Sequence, residues 1–216
     1  MTHRRLLVLL SIASIAVLLP LAILAEGHAR FPGDHSVARG IQAIPGLEPL
    51  ADFFDDEVHV FLIPALTVAG SALFLWRREW EYAIAVILLL PGSPLNTVFK
   101  WMVERPRPAA VDVDIRDFPS TSSFPSGHSF DAASFGVMLA FAAWYIGPPR
   151  PVVAAAIAAG AVIFLLGGLA RVWLGAHWPS DVVAGWLFGS AYAMLLWAAA
   201  SFFAERRTPS RGPAFP

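Results

Sequence analysis

Six apolar stretches, each close to the length needed to cross a bilayer, account for most of this 216-residue chain. They cover residues 6–25, 58–76, 82–102, 130–146, 152–172 and 182–203, where a spanning helix needs about 20 apolar residues. A backbone in hydrocarbon must satisfy its own polar groups, so runs of this length fold as helices. The expected fold class is all-α: a polytopic membrane protein of six transmembrane helices, one domain over residues 1–216 with a polar tail from about residue 205. The hydrophobic share, 57%, exceeds that of an ordinary soluble domain. Arg4 and Arg5 precede the first run as they would in a secretory signal, but the run is long and no small-x-small site follows it, so it is read as a retained span. Pro20, Pro64, Pro91 and Pro94 fall inside these runs, where neighbouring helices make proline tolerable.

The charges between the runs set an expected orientation. One side collects Arg4, Arg5, Arg77, Arg78, Arg150, Arg206, Arg207 and Arg211 against Glu79, Glu81 and Glu205. The other collects Asp34, Glu48, Asp52, Asp55, Asp56, Glu57, Asp112, Asp114 and Asp117. The positive-inside rule makes the first side, with both termini, cytoplasmic and the second extracytoplasmic. On the outer side, residues 26–57 form a loop with a short interfacial helix that Asp34 is expected to N-cap, with Val37, Ile41 and Ile44 on one face. Residues 104–125, rich in Pro, Asp and Ser, read as irregular structure. A net charge of −1 gives no reason to expect a nucleic-acid partner. The absence of cysteine removes disulfides, thiolate metal sites and a cysteine nucleophile.

Three polar clusters fall on the outer side, at the ends of different runs. The first is Lys100 with Arg107 and Pro108. Pro106 and Pro108 end the third span, leaving Lys100 about one turn inside it. Snorkelling cations at a helix end are the ordinary alternative, and Arg105 and Arg116 read as plain interfacial cations of that kind. The second is Pro125-Ser126-Gly127-His128, ahead of the fourth span. A helix start offers free N–H groups and partial positive charge to an anion, and Gly127 permits close approach; an ordinary serine cap followed by a surface histidine is the alternative. The third is Arg171, His177 and Asp181. Pro179 suits a first helical turn, so Asp181 can fold back as in a capping box and accept the Nδ1 proton of His177. That leaves Nε2 unprotonated and nucleophilic; the alternative is a carboxylate that only complements the helix dipole. Asp131, one turn past His128, is a costly carboxylate in a span, read as tuning His128 or facing a wet cavity. Asn96 is read as packing helices, and the eight tryptophans as interface anchors.

Each cluster alone is ambiguous, but their conjunction on one membrane face suits phosphoryl transfer, which consists mostly of positioning and charge neutralisation. Three cations and helix N–H groups meet that need, and no convincing Mg²⁺ or Zn²⁺ ligand set is visible. These residues closely resemble the type 2 phosphatidic acid phosphatase (PAP2) family. Lys100, Arg107 and Pro108 match its first motif, Pro125 to His128 its second, and Arg171, His177 and Asp181 its third. Ala170 stands where the pattern has serine, which removes a hydroxyl and none of the charges.

The resemblance implies His177 as the nucleophile that forms a phosphohistidine, Asp181 as its orienting group and His128 as the acid for the leaving group. Lys100, Arg107, Arg171, Ser126 and Gly127 would bind the phosphate. It also implies catalysis without metal or other cofactor, and inhibition by vanadate. The expected activity is hydrolysis of a lipid phosphomonoester or pyrophosphate, such as undecaprenyl pyrophosphate, phosphatidylglycerol phosphate or phosphatidic acid, in the cell membrane. The alternatives are an inactive lipid-binding or lipid-transporting protein and a lipid phosphotransferase with the same site. The six spans argue against the soluble vanadium haloperoxidases that share the motifs.

Overall fold

A computed structural model of the chain describes residues 3–90 and 92–207. Pro91, Arg211 and the rest of the tail past residue 207 lie outside the described residues. The described elements are all helical: α1 His3–Gly27, α2 Asp34–Gln42, α3 Glu48–Asp52, a π-helical stretch Phe53–Leu62, α4 Ile63–Trp76, α5 Trp80–Ile87, α6 Gly92–Val103, α7 Gly127–Ile146, α8 Arg150–Trp173 and α9 Pro179–Arg207. Five helical stretches are long and apolar enough to cross a membrane, and α5 with α6 makes a sixth if that bent pair is one span. The protein is therefore a multi-pass membrane protein.

Two spans differ from expectation. The second begins at Glu48 rather than at residue 58, and runs without interruption through the π-helical stretch to Trp76. Its acidic start, Asp52 to Glu57, reads as a loop because charge in a span is costly. The wide π turn, common at functional sites, instead carries Asp55 and His59 to partners inside the bundle. The stretch expected as one third helix is two helices, α5 and α6, meeting at 42°. Pro94, in the first turn of α6, suits a helix that starts anew there, since proline has no N–H to donate and crowds the preceding turn.

α7 is the central helix, packed against both α8 and α9. Small residues make this possible. A Cβ on Gly185 would stand 2.5 Å from the Ser126 carbonyl oxygen, and one on Gly189 would meet the Phe130 carbonyl. Gly136 of α7 and Gly160 of α8 approach one another in the same way. Close backbone approach at small residues is how helices pack when lipid removes the hydrophobic drive between them. It also brings the start of α7 against the start of α9, where the Ser126 N–H donates to the Asp181 carbonyl at 3.0 Å.

At the far end of the bundle, Phe74, Tyr82, Tyr145 and Trp197 form an aromatic cluster, and Arg4 pairs with Glu205. Both ends of the described chain thus lie on the face opposite the three polar clusters. Trp173, Trp178 and Trp197 are buried in cores rather than placed as interface anchors: Trp197 among the rings of Phe74, Tyr82 and Tyr145, Trp173 in the cluster of Ala51, Phe54 and Phe135, and Trp178 with Val172 and Val182. Trp76, Trp101 and Trp144 do lie exposed.

The interfacial helix α2 forms, but Gly33 (φ 91°) holds its N-cap position, with no side-chain cap. Asp34 is instead buried and turned inward, accepting from the Phe31 N–H at 2.8 Å. Ile41 packs with Trp173, while Val37 and Ile44 remain exposed.

Candidate active site

The ends of α6, α7, α8 and α9 converge on one side of the bundle, roofed by the irregular segment between α6 and α7. Lys100, in the last turn of α6, is buried and donates to the Ser122 carbonyl at 2.8 Å. Arg107, in the roof, donates from Nε to the Thr121 carbonyl at 2.7 Å and from Nη1 to the Ala176 carbonyl at 2.6 Å. Ser126 caps α7, accepting from the Ser129 N–H at 3.4 Å and the Ser129 hydroxyl at 2.9 Å. That cap leaves Gly127 and His128 in the first turn of α7. Arg171 is in the last turn of α8, and the Ala176 and His177 N–H groups both donate back to its carbonyl oxygen. The turn through Gly175 (φ 72°) lies against the Asp114 backbone, where a side chain would not fit.

His177 is the best-defined group of the site. It is 2% exposed. Its Nε2 lies 3.1 Å from Nη1 of Arg107, which can only donate, so Nε2 carries the lone pair. The proton is then on Nδ1, which faces the Ser123 hydroxyl at 3.4 Å and Oδ2 of Asp181 at 3.6 Å. The expected direct bond from Nδ1 to Asp181 is too long to be one. Ser123 stands between them and donates to Oδ2 of Asp181 at 2.5 Å.

Asp181 does fold back as a capping box would, accepting from the Trp178 N–H at 2.9 Å. Burial holds the His177 pKa well below its ordinary value of 6.5, and Lys100, Arg107, Arg171 and His128 push it the same way. The neutral imidazole therefore persists as pH falls through 6.5. Burial, and then the nearby Arg171, lower Arg107 to about 10, which leaves it charged at neutral pH.

Several site residues carry no signal in the motifs. Arg105 is fully buried rather than an interfacial cation. It donates to Asp181 at 2.5 Å, Asp34 at 2.9 Å, Ser180 at 2.8 Å and the His28 carbonyl at 3.3 Å. Asp181 is a buried carboxylate at the bundle's edge, and Arg105, five residues past Lys100, is the cation within its reach. Asp55 pairs with Arg171 and, at 3.1 Å, with Nε2 of His128. Asp117 takes the other Arg171 nitrogen at 2.5 Å. The His59 ring stacks on His128 at 3.6 Å, and Asp131 faces His59 at 3.8 Å. Arg116 lies 3.8 Å over the Trp173 ring and pairs with Asp114, in keeping with an interfacial cation. Asn96 donates to the Pro125 carbonyl at 3.5 Å, packing α6 on the start of α7. Among the described residues no three His, Asp or Glu side chains are grouped to hold a metal ion.

The comparisons with known proteins bear on this geometry. The family model for the PAP2 superfamily matches residues 78–205, which contain all three motifs. The chain belongs to the PAP2 superfamily. It is 33% identical over 134 residues to phosphatidylglycerophosphatase B of Bacillus subtilis (strain 168), 60% of this chain and 63% of that protein. It is 45% identical over 150 residues to lipid A 1-phosphatase of Rhizobium johnstonii, 66% of this chain and 56% of that protein. The matches thus span less than two thirds of either relative. The fold is similar to a crystal structure of a transmembrane PAP2-type phosphatidylglycerolphosphate phosphatase from Bacillus subtilis, with a TM-score of 0.72 and 26% identity over 93% of this chain and 98% of that one.

Two consequences follow from Arg105 and His177. Arg105→Ala strands two buried carboxylates, and removing one partner of a buried pair costs about 3–5 kcal/mol; unfolding in detergent micelles should show a loss of that size, and a change within about 0.5 kcal/mol would contradict it. The ¹⁵N resonances of His177 should report a neutral ring at about pH 6, half a unit below the ordinary midpoint. Titration near 6.5 would contradict the burial and charge described.

Proposed function

We propose that the protein is an integral membrane lipid phosphatase that hydrolyses a phosphomonoester or pyrophosphate of a lipid. The observation that carries this reading is the His177 ring: its Nε2 lone pair points at a guanidinium, and a hydroxyl and a carboxylate stand behind Nδ1. An imidazole so held is an activated nucleophile, set among Lys100, Arg107 and Arg171. Positioned cations of this kind stabilise the charge that develops on a transferring phosphoryl group.

In the proposed reaction the phosphate lies among these cations and the N–H groups at the start of α7, with Ser126 and Gly127 beside it. Nε2 of His177 attacks phosphorus as the bond to the lipid oxygen breaks, and His128 gives that oxygen a proton. His177 then carries the phosphoryl group, and its imidazolium charge faces Asp181 through Ser123. Water attacks next, losing a proton to His128. The P–N bond breaks, and inorganic phosphate leaves with both histidines returned to their starting states. The cations carry the charge in each step, so neither metal nor organic cofactor has a part in this mechanism.

The substrate class rests on the apolar bundle and on relatives named for lipid phosphates. The purified protein in detergent should release phosphate from one or more of phosphatidylglycerol phosphate, phosphatidic acid and undecaprenyl pyrophosphate. Release should survive EDTA and fall with vanadate. His177→Ala should be inactive on each. His128→Ala should lose about 10²–10⁴-fold on a poor leaving group and recover part of that loss on an aryl phosphate. No release from the panel, or equal losses in both variants on every leaving group, would count against the reading.

The arginine-rich loops support a site that opens to the extracytoplasmic side with the termini inside. The chain has no cysteine, so single cysteines at Asp114 and Arg150 report this directly. An impermeant thiol reagent should label position 114 in intact cells and spare 150; the opposite pattern would reverse the orientation.

A further inference from the structure

The cations of the pocket already have partners, and the partners differ in kind. Lys100 and Arg107 donate to backbone carbonyls of Thr121, Ser122 and Ala176, and Arg107 also to His177, groups fixed by the course of the chain. Arg171 rests on two carboxylates, Asp55 and Asp117, while its Nε is buried without a hydrogen-bond partner among the described residues. Oδ1 of Asp55, the oxygen that takes Arg171, is also the one 3.1 Å from Nε2 of His128. One carboxylate oxygen therefore occupies the point where a guanidinium nitrogen and an imidazole nitrogen converge, which is what a phosphoryl oxygen would require. Asp117 is more exposed and, among the described residues, is paired with Arg171 alone.

We propose that Asp55 is an internal anion that fills the phosphate site of the empty protein and must be displaced by any incoming phosphate, a competition that a lipid's apolar part helps its own phosphate to win. The inference rests on the phosphatase reading above and deepens it. A tethered carboxylate competes with every incoming anion. If it leaves the site open about a tenth of the time, the apparent affinity of any phosphate falls about ten-fold. Soluble phosphates have only their charge with which to overcome that competition. A lipid arrives confined to the bilayer, at high effective concentration. It also meets an apolar groove lined by Ile41, Leu50, Phe54, Leu166, Ala170 and Trp173, in which Phe54 and Ala170 are the chain neighbours of Asp55 and Arg171. Asp55 lies in the first turn of the π-helical stretch, where it meets Arg171 and His128. When the phosphate takes over Arg171 and His128, the Asp55 carboxylate swings toward the exposed edge, where it is already 18% accessible.

The test uses the full chain in detergent and measures binding of vanadate and of inorganic phosphate, which does not depend on turnover. Asp55→Asn should bind both about ten-fold tighter than the unaltered protein, and KM for a short-chain phosphatidate should fall by a similar factor whatever happens to kcat. Asp55→Glu, which keeps the anion, should restore the weaker binding. A merely structural role cannot produce this gain. Equal or weaker binding by an Asp55→Asn protein that unfolds at the wild-type temperature overturns the proposal. If that variant does not fold, the unaltered protein decides: vanadate should shift an infrared carboxylate band as Asp55 leaves Arg171, and an unchanged carboxylate region overturns it. Lipid hydrolysis without tighter binding in Asp55→Asn defeats the exchange and leaves the phosphatase reading standing. Tighter binding in a protein that hydrolyses none of the lipids does the reverse.

Discussion

Asp181 has no access to water, yet its carboxylate is placed where four parts of the chain meet. Arg105 reaches it from the roof between α6 and α7, Ser123 from the strand of chain that leads into α7, and the Trp178 N–H from the start of its own helix. Its backbone carbonyl takes the Ser126 N–H. A buried charge must be paired and hydrogen-bonded or it is expelled, so the folded state requires all of these partners at once. Bringing them together sets the distance between the second and third motifs, closes the roof over Lys100, and through Asp34 and Ser180 docks α2 on the bundle. The geometry around His177 is a by-product of satisfying this one carboxylate.

The same rule explains the crowd of opposite charges nearby. Lys100, Arg105, Arg107 and Arg171 sit within a few turns of hydrocarbon, where unpaired charge is expensive. Asp34 and Asp181 answer Arg105, Asp55 and Asp117 answer Arg171, and backbone carbonyls take Lys100 and Arg107. His177 is the exception: Asp181 stands 3.6 Å from its Nδ1, but burial and the surrounding cations Lys100, Arg107 and Arg171 disfavour a charged ring, and it stays neutral. A group held neutral beside three cations has its lone pair ready for an electrophile that brings its own negative charge.

Much of this could be read along the chain. The lengths of the apolar runs announce six crossings, and proline at 106 and 108 marks where α6 must stop. Pro179 two residues before Asp181 places that carboxylate in a first helical turn facing back toward His177. What could not be read is whatever depends on long-range partners. Arg105 and Arg116 look alike as arginines of the segment between α6 and α7; the approach of α9 and α2 buries one, and the other lies over an indole ring. Asp55 and His59 lie in a run that looks too acidic to span, because the compensation comes from Arg171, 116 residues away. The π turn that delivers them has no periodicity to detect. Ser123, between His177 and Asp181, precedes the second motif and resembles any loop serine.

If His177 is the nucleophile, phosphorus must become bonded to its Nε2 during turnover. The direct measurement is rapid quenching of the protein with a ³²P-labelled lipid phosphate, followed by peptide mapping of the acid-labile, base-stable label. In His128→Ala, which lacks the proton donor and the base for the second step, label should accumulate on residue 177, and His177→Ala should carry none. Label on His128 in a His177→Ala protein, or rapid hydrolysis with no labelled histidine at any quench time, would contradict the assignment.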